Sequence, residues 1–446
     1  MLAQLSDPEI YRAAYDRVRR RQLRRADHTP LTAAGPTLLE LGRDGSELLT
    51  RLAREVSTQY YAFGPVVARQ VKVSGKLRTL YRASPLDDIV LGALAKVLSG
   101  LIDPSLSPCV YSYREGRSVQ SALRALRGYL DAHRRARPDP RTRGLYVIRR
   151  DIVRYGDAIP TGPRSQLWQQ LQDGLARAGV APSEPTALWL RAAFRPPLVR
   201  GEWLEEPSCG VPTGSPLQPL ACNLYLSPVD AACEQVPGAF YARFGDDILF
   251  AHPERDVAER VLQHMDAQLL ELGLRANAQK SCERFFNAAG RSAPLPFRGS
   301  ASLDYLGVRV DFRGTIGLRR DKLRTLLRHV RARLERSAAL LRRESEPERL
   351  RALASVVESA LATPGPLAEP QAAQLFELVD DRAQLRALDY QLWRALAQAC
   401  SGERSVRAFR SYPPRRLRAQ TGLTSLVARC NAAGLTRSRR AAEVGP

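Results

Sequence analysis

The chain has 446 residues, 44% of them hydrophobic, which is enough to build a sizeable core shared between two or three lobes. Its 68 Lys and Arg against 46 Asp and Glu leave a formal charge of +22, which repels itself unless a polyanion offsets it. Nucleic acid is therefore the leading partner; no apolar run approaches the ~20 residues that span a bilayer, and the N-terminus has no signal-peptide pattern, so no membrane partner and a cytoplasmic location are expected.

Residues 8–25 carry Ile10, Ala14 and Val18 with arginines between them, a spacing that predicts a helix with one strongly basic face. The run AHRRARPDPRTRG at 132–144 reads as a mobile basic loop. It leads into LYVIRRDIVRY at 145–155, whose β-branched and aromatic residues predict a strand with Asp151 near its C-terminal end. Prolines and glycines punctuate 160–219. After Gly317, apolar residues at Leu323, Leu327, Val330, Leu334 and Leu341 recur at helical spacing and begin a helical C-terminal lobe. From Arg404 through Arg440 there is no acidic residue, while Arg404, Arg407, Arg410, Arg415, Arg416, Arg418, Arg429, Arg437, Arg439 and Arg440 accumulate. That pattern is a cationic surface or a disordered tail. The seven cysteines are scattered without a C-x-x-C, so neither a disulfide framework nor a zinc site is indicated, and they read as reduced, buried thiols.

The chemistry concentrates in YARFGDDILF, Tyr241 to Phe250, where two strand-forming runs meet at Gly245 and place Asp246 and Asp247 at a hairpin tip. Carboxylates about 4 Å apart repel by ~4 kcal/mol at an effective dielectric of ~20, so something must neutralise them. By itself Gly-Asp-Asp is also compatible with an ordinary exposed turn. If the strand ending at Asp151 lies beside this hairpin, three carboxylates converge, a set that suits Mg²⁺ with positions left for phosphate oxygens. Two such ions can activate a hydroxyl and stabilise a leaving pyrophosphate.

Several stretches resemble, in order, the motifs of bacterial reverse transcriptases of the group II intron type. They are 75–98 (GKLRTLYRASPLDDIVLGALAKVL), 110–123 (VYSYREGRSVQSAL), 150–159 (RDIVRYGDAI), 210–230 (GVPTGSPLQPLACNLYLSPVD), 241–251 (YARFGDDILFA), 272–281 (LGLRANAQKS) and 303–310 (LDYLGVRV). The resemblance covers roughly 8–320. It implies an α+β right-hand polymerase with α-rich fingers at 1–145, an antiparallel-sheet palm at 146–318 and a helical thumb at 319–400, followed by an arginine-rich extension at 401–446.

The same resemblance implies site residues. Asp151 and Asp246, with the Ile152 carbonyl, would bind two Mg²⁺ ions, Asp247 would support them electrostatically, and Lys280 would donate a proton to the departing pyrophosphate. Lys76 and Arg78 would contact the incoming nucleoside triphosphate, with ordinary surface charge as the competing account. Gly210, Pro212, Gly214 and Ser215 would form the turn and helix start that lets template and nascent base pair approach the backbone. Tyr113, Arg114 and Arg117 would lie along the template, while Tyr305, Leu306 and Gly307 would support the primer end.

Three positions depart from the family pattern. Gly156 stands where a bulky aromatic usually blocks a ribose 2′-hydroxyl, so ribonucleotides are expected to enter unless Tyr155 or a neighbour takes over. Thr213 replaces a Gln near the nucleotide, and Gly245 replaces an Ala. The expected function is an RNA-directed polymerase in anti-phage defence, working with a structured non-coding RNA and releasing a nucleic-acid product. The alternative is an intron maturase that acts mainly by binding its parent RNA. The sequence leaves oligomerisation, primer type and template identity open.

Overall fold

In the computed structural model the described residues are 1–23, 45–73, 76–200, 202–362 and 378–431. The chain divides into two units: Met1–Ala122 with Leu145–Arg284, and Leu123–Gly144 with the chain from Phe285 onward.

The first unit begins with α1 (Leu2–Leu5), α2 (Glu9–Leu23) and α3 (Ser46–Ser57). Helix α2 buries Tyr11, Ala14, Tyr15 and Val18. The two tyrosines complete an i, i+3, i+4, i+7 stripe that Ile10, Ala14 and Val18 alone only half suggest. One of the arginines of α2, Arg21, forms an ion pair with Asp88, so its face is not wholly solvated. Strands β1 (Val66–Val73) and β2 (Lys76–Arg82) pair antiparallel, and α4 (Pro85–Ile102) follows, its first turn capped by the Ser84 hydroxyl accepting from the Asp87 amide. Helix α5 (Val119–Ala136) extends five residues into the segment read as a loop at 132–144, because Ala132 to Ala136 continue a helical register with no breaker before Pro138.

Strand β3 (Leu145–Asp151) ends at Asp151, as its composition predicts, and α6 (Tyr155–Ala158) is a single turn. The region 160–219 holds more structure than its prolines suggest: α7 (Gln166–Arg177), α8 (Glu184–Phe194), β4 (Leu198–Arg200) and β5 (Trp203–Glu205). Its prolines partly mark starts, since Ser183 caps α8 with Pro185 in the first turn. Strands β4 and β5 extend the first hairpin into a sheet of order β2-β1-β4-β5.

Helices α9 (Gln218–Tyr225) and α10 (Ser227–Glu234) precede the hairpin β6 (Phe240–Phe244) and β7 (Asp247–His252), then α11 (Arg255–Glu271) and β8 (Cys282–Phe286), within which the chain passes to the second unit. The strands of the central sheet run β6-β7-β3-β8, with β7 antiparallel to both β6 and β3.

One buried network anchors that hairpin. Arg243 is 0% exposed and pairs with Asp230 of α10 through two bonds of 2.7 and 2.6 Å. Its remaining donors reach the carbonyls of Asn223 at 2.9 Å and Gly245 at 3.2 Å, and Tyr241 donates to Asp230 at 2.6 Å. Burial alone would lower the guanidinium pKa; the facing Asp230 carboxylate more than offsets this and holds it above its ordinary value.

The second unit takes in the rest of α5 and continues with β9 (Arg298–Ser300) and a meander of β10 (Ser302–Tyr305), β11 (Val308–Asp311) and β12 (Ile316–Leu318). Helices α12 (Arg320–Leu340), α13 (Glu346–Ala362), α14 (Arg382–Ser401), α15 (Ala408–Ser411) and α16 (Pro414–Thr421) complete it. Val330 and Leu334 are buried, whereas Leu323, Leu327 and Leu341 are only half-buried. The C-terminal arginines up to Arg429 are not a loose tail. Arg416 pairs with Glu346 at 2.8 Å, Arg429 pairs with Glu358 at 2.7 Å, and Arg418 stands over the Trp393 ring. Arg437, Arg439 and Arg440 lie outside the described residues. Among those residues no helix is long and apolar enough to cross a membrane.

The cysteines are free. Cys222, Cys233 and Cys400 are buried, and burial pushes each thiol up to about 12, whereas Cys209 is exposed, against the expectation that all are buried. Thiol labelling of the native protein at neutral pH should modify Cys209 and spare those three, as read by mass spectrometry. Replacing Asp230 with Asn would leave the Arg243 charge buried and uncompensated, so urea denaturation should show a loss of about 3–5 kcal/mol.

Candidate active site

The central sheet sets the carboxylates by register. Asp151, the last residue of β3, is the direct antiparallel partner of Asp247, the first of β7. Opposed residues project on the same face, so these two acids are cross-strand neighbours, and Asp246 sits in the turn one residue before. Arg149, two residues before Asp151, shares that face and holds Asp247 with bonds of 2.8 and 2.7 Å. Arg150 projects to the other face, where it pairs with Asp266 and Glu283. Alternation along one strand thus separates a structural cation from one that serves the site.

Asp151 is 6% exposed and is met from β8's approach. Lys280 donates to both of its oxygens at 2.9 and 2.8 Å, and Asn277 adds a bond of 3.3 Å. Asp246 differs, since no ion pair to it is found among the described residues. Burial pushes its carboxyl up first, and the negative charge of Asp151 pushes it further. Asp247 is also pushed up by burial, which outweighs the opposing effect of Arg149.

The sequence suggests three carboxylates converging on one point; among the described residues no group of three or more His, Cys, Asp or Glu side chains is arranged to hold a metal ion. Asp247 is engaged by Arg149 and Asp151 by Lys280. Asp246 is the one of the three acids without an ion pair among the described residues, and the negative charge of Asp151 acts on it. The Val153 amide bonds the Arg275 carbonyl and the Asn277 amide bonds the Asp151 carbonyl, so the intervening Ile152 carbonyl points to the opposite side of the strand, the side of β7. Hard oxygen donors whose negative charges repel, as those of Asp151 and Asp246 do, fit a divalent cation such as Mg²⁺.

The hairpin tip is positioned by residues that sequence reasoning missed. The Gly245 amide donates to the Ser112 hydroxyl at 2.8 Å, and Ser112 is tied to Asn223 through its hydroxyl at 3.1 Å and its carbonyl at 2.9 Å. Gly245 itself has φ +65°, the left-handed turn that glycine supplies without strain. The available signal was a charged Arg243 inside an apolar strand, which demands a buried partner.

Glycines 210 and 214 do permit close approach, but of the protein's own backbone. A Cβ at Gly214 (φ +110°) would lie 3.1 Å from the Tyr81 carbonyl, and one at Gly210 (φ +93°) 3.2 Å from that of Asp157. Pro212 accepts the Ser215 amide, and the Ser215 hydroxyl accepts the Leu217 amide at 3.3 Å just ahead of α9, which is the expected helix start. Tyr155 is buried, with its hydroxyl donating to the Cys222 carbonyl at 2.7 Å, so it does not stand in for a side chain at Gly156. The neighbour that does fill that space is Gln218.

The remaining sites divide. Lys76 and Arg78 are on β2, and their side chains lie outside the described residues. Tyr113 is 64% exposed with φ +56°, and Arg117 lies over the Tyr111 ring at 5.4 Å. The Arg114 side chain is 8% exposed and spends its donors on Asp103 and the carbonyls of Asp103, Ser107 and Val110, bracing a loop. Tyr305 is 0% exposed in the core of the second unit; Leu306 and Gly307, both with positive φ, form the β10–β11 turn.

The family model described as "Reverse transcriptase (RNA-dependent DNA polymerase)" matches residues 173–310. No curated protein matches the chain. Among solved structures, telomerase from Candida albicans in complex with a TWJ fragment of telomeric RNA is similar at TM-score 0.47 and 11% identity, over 81% of this chain and 62% of that one. Telomerase from Candida tropicalis with the same kind of fragment gives 0.47 and 11%, over 85% and 68%. Apo telomerase from Candida tropicalis truncated from its C-terminal domain gives 0.44 and 11%, over 61% of this chain and 60% of that one. The chain thus spans about 60% of the length of that truncated telomerase. Residues 173–310, the part of the chain similar to the reverse transcriptase model, include Asp246, Asp247 and Lys280.

Proposed function

We propose that the protein is an RNA-directed nucleotide polymerase that extends a primer along a bound RNA template. The observation that carries this reading is the register of Asp151 against Asp247 with Asp246 in the adjoining turn, in a chain whose residues 173–310 match a reverse transcriptase model. Two Mg²⁺ ions at Asp151, Asp246 and the Ile152 carbonyl would activate the primer hydroxyl and stabilise the departing pyrophosphate. Arg149 holds Asp247 in place beside them. Lys280, once free of Asp151, carries a proton at Nζ for the pyrophosphate.

Residues 1–145, 146–318 and 319–400 serve as fingers, palm and thumb in this reading, and 401–446 as a basic extension. Nucleoside triphosphate meets Lys76, Arg78, Gly156, Thr213, Gly214 and Ser215, while Tyr113 and Arg117 face the template. The setting is anti-phage defence with a structured non-coding RNA. A maturase that mainly binds its parent RNA would use the same basic surfaces, and the carboxylates separate the two readings.

Primer extension on an RNA template with Mg²⁺ should fall about a thousandfold in Asp151→Asn and Asp246→Asn, equivalent to about 4 kcal/mol of lost transition-state stabilisation, with RNA binding retained. Extension at the wild-type rate by either variant would remove the polymerase assignment. In chelator-treated protein, Asp246→Asn should melt above wild type, since it removes a carboxylate whose ionised form is disfavoured by burial and by Asp151.

A further inference from the structure

Among the described residues few besides glycine hold a positive φ, and one of these, Tyr113 at +56°, stands beside the acidic hairpin. The segment before it runs parallel to β6: Val110 bridges Arg243, the Arg243 amide bonds the Cys109 carbonyl at 2.9 Å, and the Tyr111 amide bonds the Arg243 carbonyl at 2.8 Å. Counting on from that bridge sets Ser112 beside Gly245, where its hydroxyl accepts the Gly245 amide at 2.8 Å. The next residue, Tyr113, comes level with Asp246. Its phenol is within reach of that acid: desolvation comes first in raising its pKa above the ordinary value, and the Asp246 charge raises it further.

This backbone conformation is costly for the residue that adopts it. Glycine takes a left-handed φ freely and asparagine readily, whereas the Cβ of a bulky aromatic residue crowds the following carbonyl oxygen. Packing does not offset the strain, because Tyr113 is 64% exposed and its side chain makes no hydrogen bond or ring contact among the described residues. Ser112, by contrast, is 0% exposed and bonded to Asn223, so the ring is carried on a fixed support. Strained residues of this kind cluster where the group they display is used.

We propose that Tyr113 is a stacking platform, its ring held out beside Asp246 to receive the face of one base of the bound RNA template. The inference rests on the polymerase reading, which brings RNA to Asp246; the position of the ring itself comes from the register against β6. What the strained backbone displays is an uncharged π-surface, and its complement is the flat face of a base. Every nucleotide carries one, so the contact tolerates any template sequence.

Fluorescence anisotropy with a labelled primed RNA template tests it in wild type, Tyr113→Phe and Tyr113→Asn. Tyr113→Phe keeps the ring and should bind within about twofold of wild type. Tyr113→Asn should bind about tenfold more weakly, the loss expected of one stacked base, with an unchanged salt dependence because no charge is removed. An abasic nucleotide walked along the template should weaken wild type at one position where Tyr113→Asn is indifferent. With the strain released, Tyr113→Asn without RNA should melt about 2 °C above wild type. Equal affinity in wild type and Tyr113→Asn, a Tyr113→Phe as weak as Tyr113→Asn, the absence of any such abasic position, or a Tyr113→Asn that melts below wild type overturns the inference while leaving the polymerase reading intact. Wild type that fails to extend the primer overturns that reading and this inference with it.

Discussion

A single buried ion pair positions the acidic hairpin. Arg243 and Asp230 are sealed from solvent, and a charge pair in that environment is tolerated only when every donor and acceptor finds a partner. Here they do: the guanidinium spans from α10 to the carbonyl of Asn223 on α9 and to that of Gly245 at the tip. The turn bearing Asp246 is thereby tied to two helices as well as to its own strands. Ser112 completes the tie by accepting the Gly245 amide. A hairpin held only by its ladder could shift its tip; one fixed by a saturated polar network holds the two acids where β3 delivers Asp151.

Charge at the site is balanced unevenly, which is informative about its use. Asp247 has Arg149 and Asp151 has Lys280, whereas Asp246 is destabilised in its ionised form by burial and by Asp151. A purely structural turn would be more stable with an amide at Asp246. Retaining the acid at the point of greatest repulsion lowers the stability of the metal-free protein, and a cation bound there would restore it. The contact between Lys280 and Asp151 has the same sense, since one positive group stands against an acid proposed to coordinate another.

Much of this was legible in the sequence because periodicity and strand chemistry are local. The β3 run, its end at Asp151, the hairpin about Gly245 and the helical C-terminal lobe all follow from side-chain alternation and spacing. What could not be read depends on partners distant in the chain. Nothing near Arg243 names Asp230 as its counter-charge, and nothing near Gly156 announces that Gln218, 62 positions later, fills the space above it. Arg114 and Tyr305 show the converse limit, in that a residue type suited to nucleic acid can be consumed by the fold, one by Asp103 and neighbouring carbonyls, the other by burial. The loop assigned to 132–144 erred for a simpler reason, because arginines are good helix formers and the helix continues until proline intervenes.

The central claim is that Asp151 and Asp246 act on one cation. Titration of Mn²⁺ into the purified protein, followed by the loss of its free-ion electron paramagnetic resonance signal, measures this without reference to turnover. The account predicts saturable binding by wild type that weakens by tenfold or more in both Asp151→Asn and Asp246→Asn. Binding unaltered in either variant would contradict it.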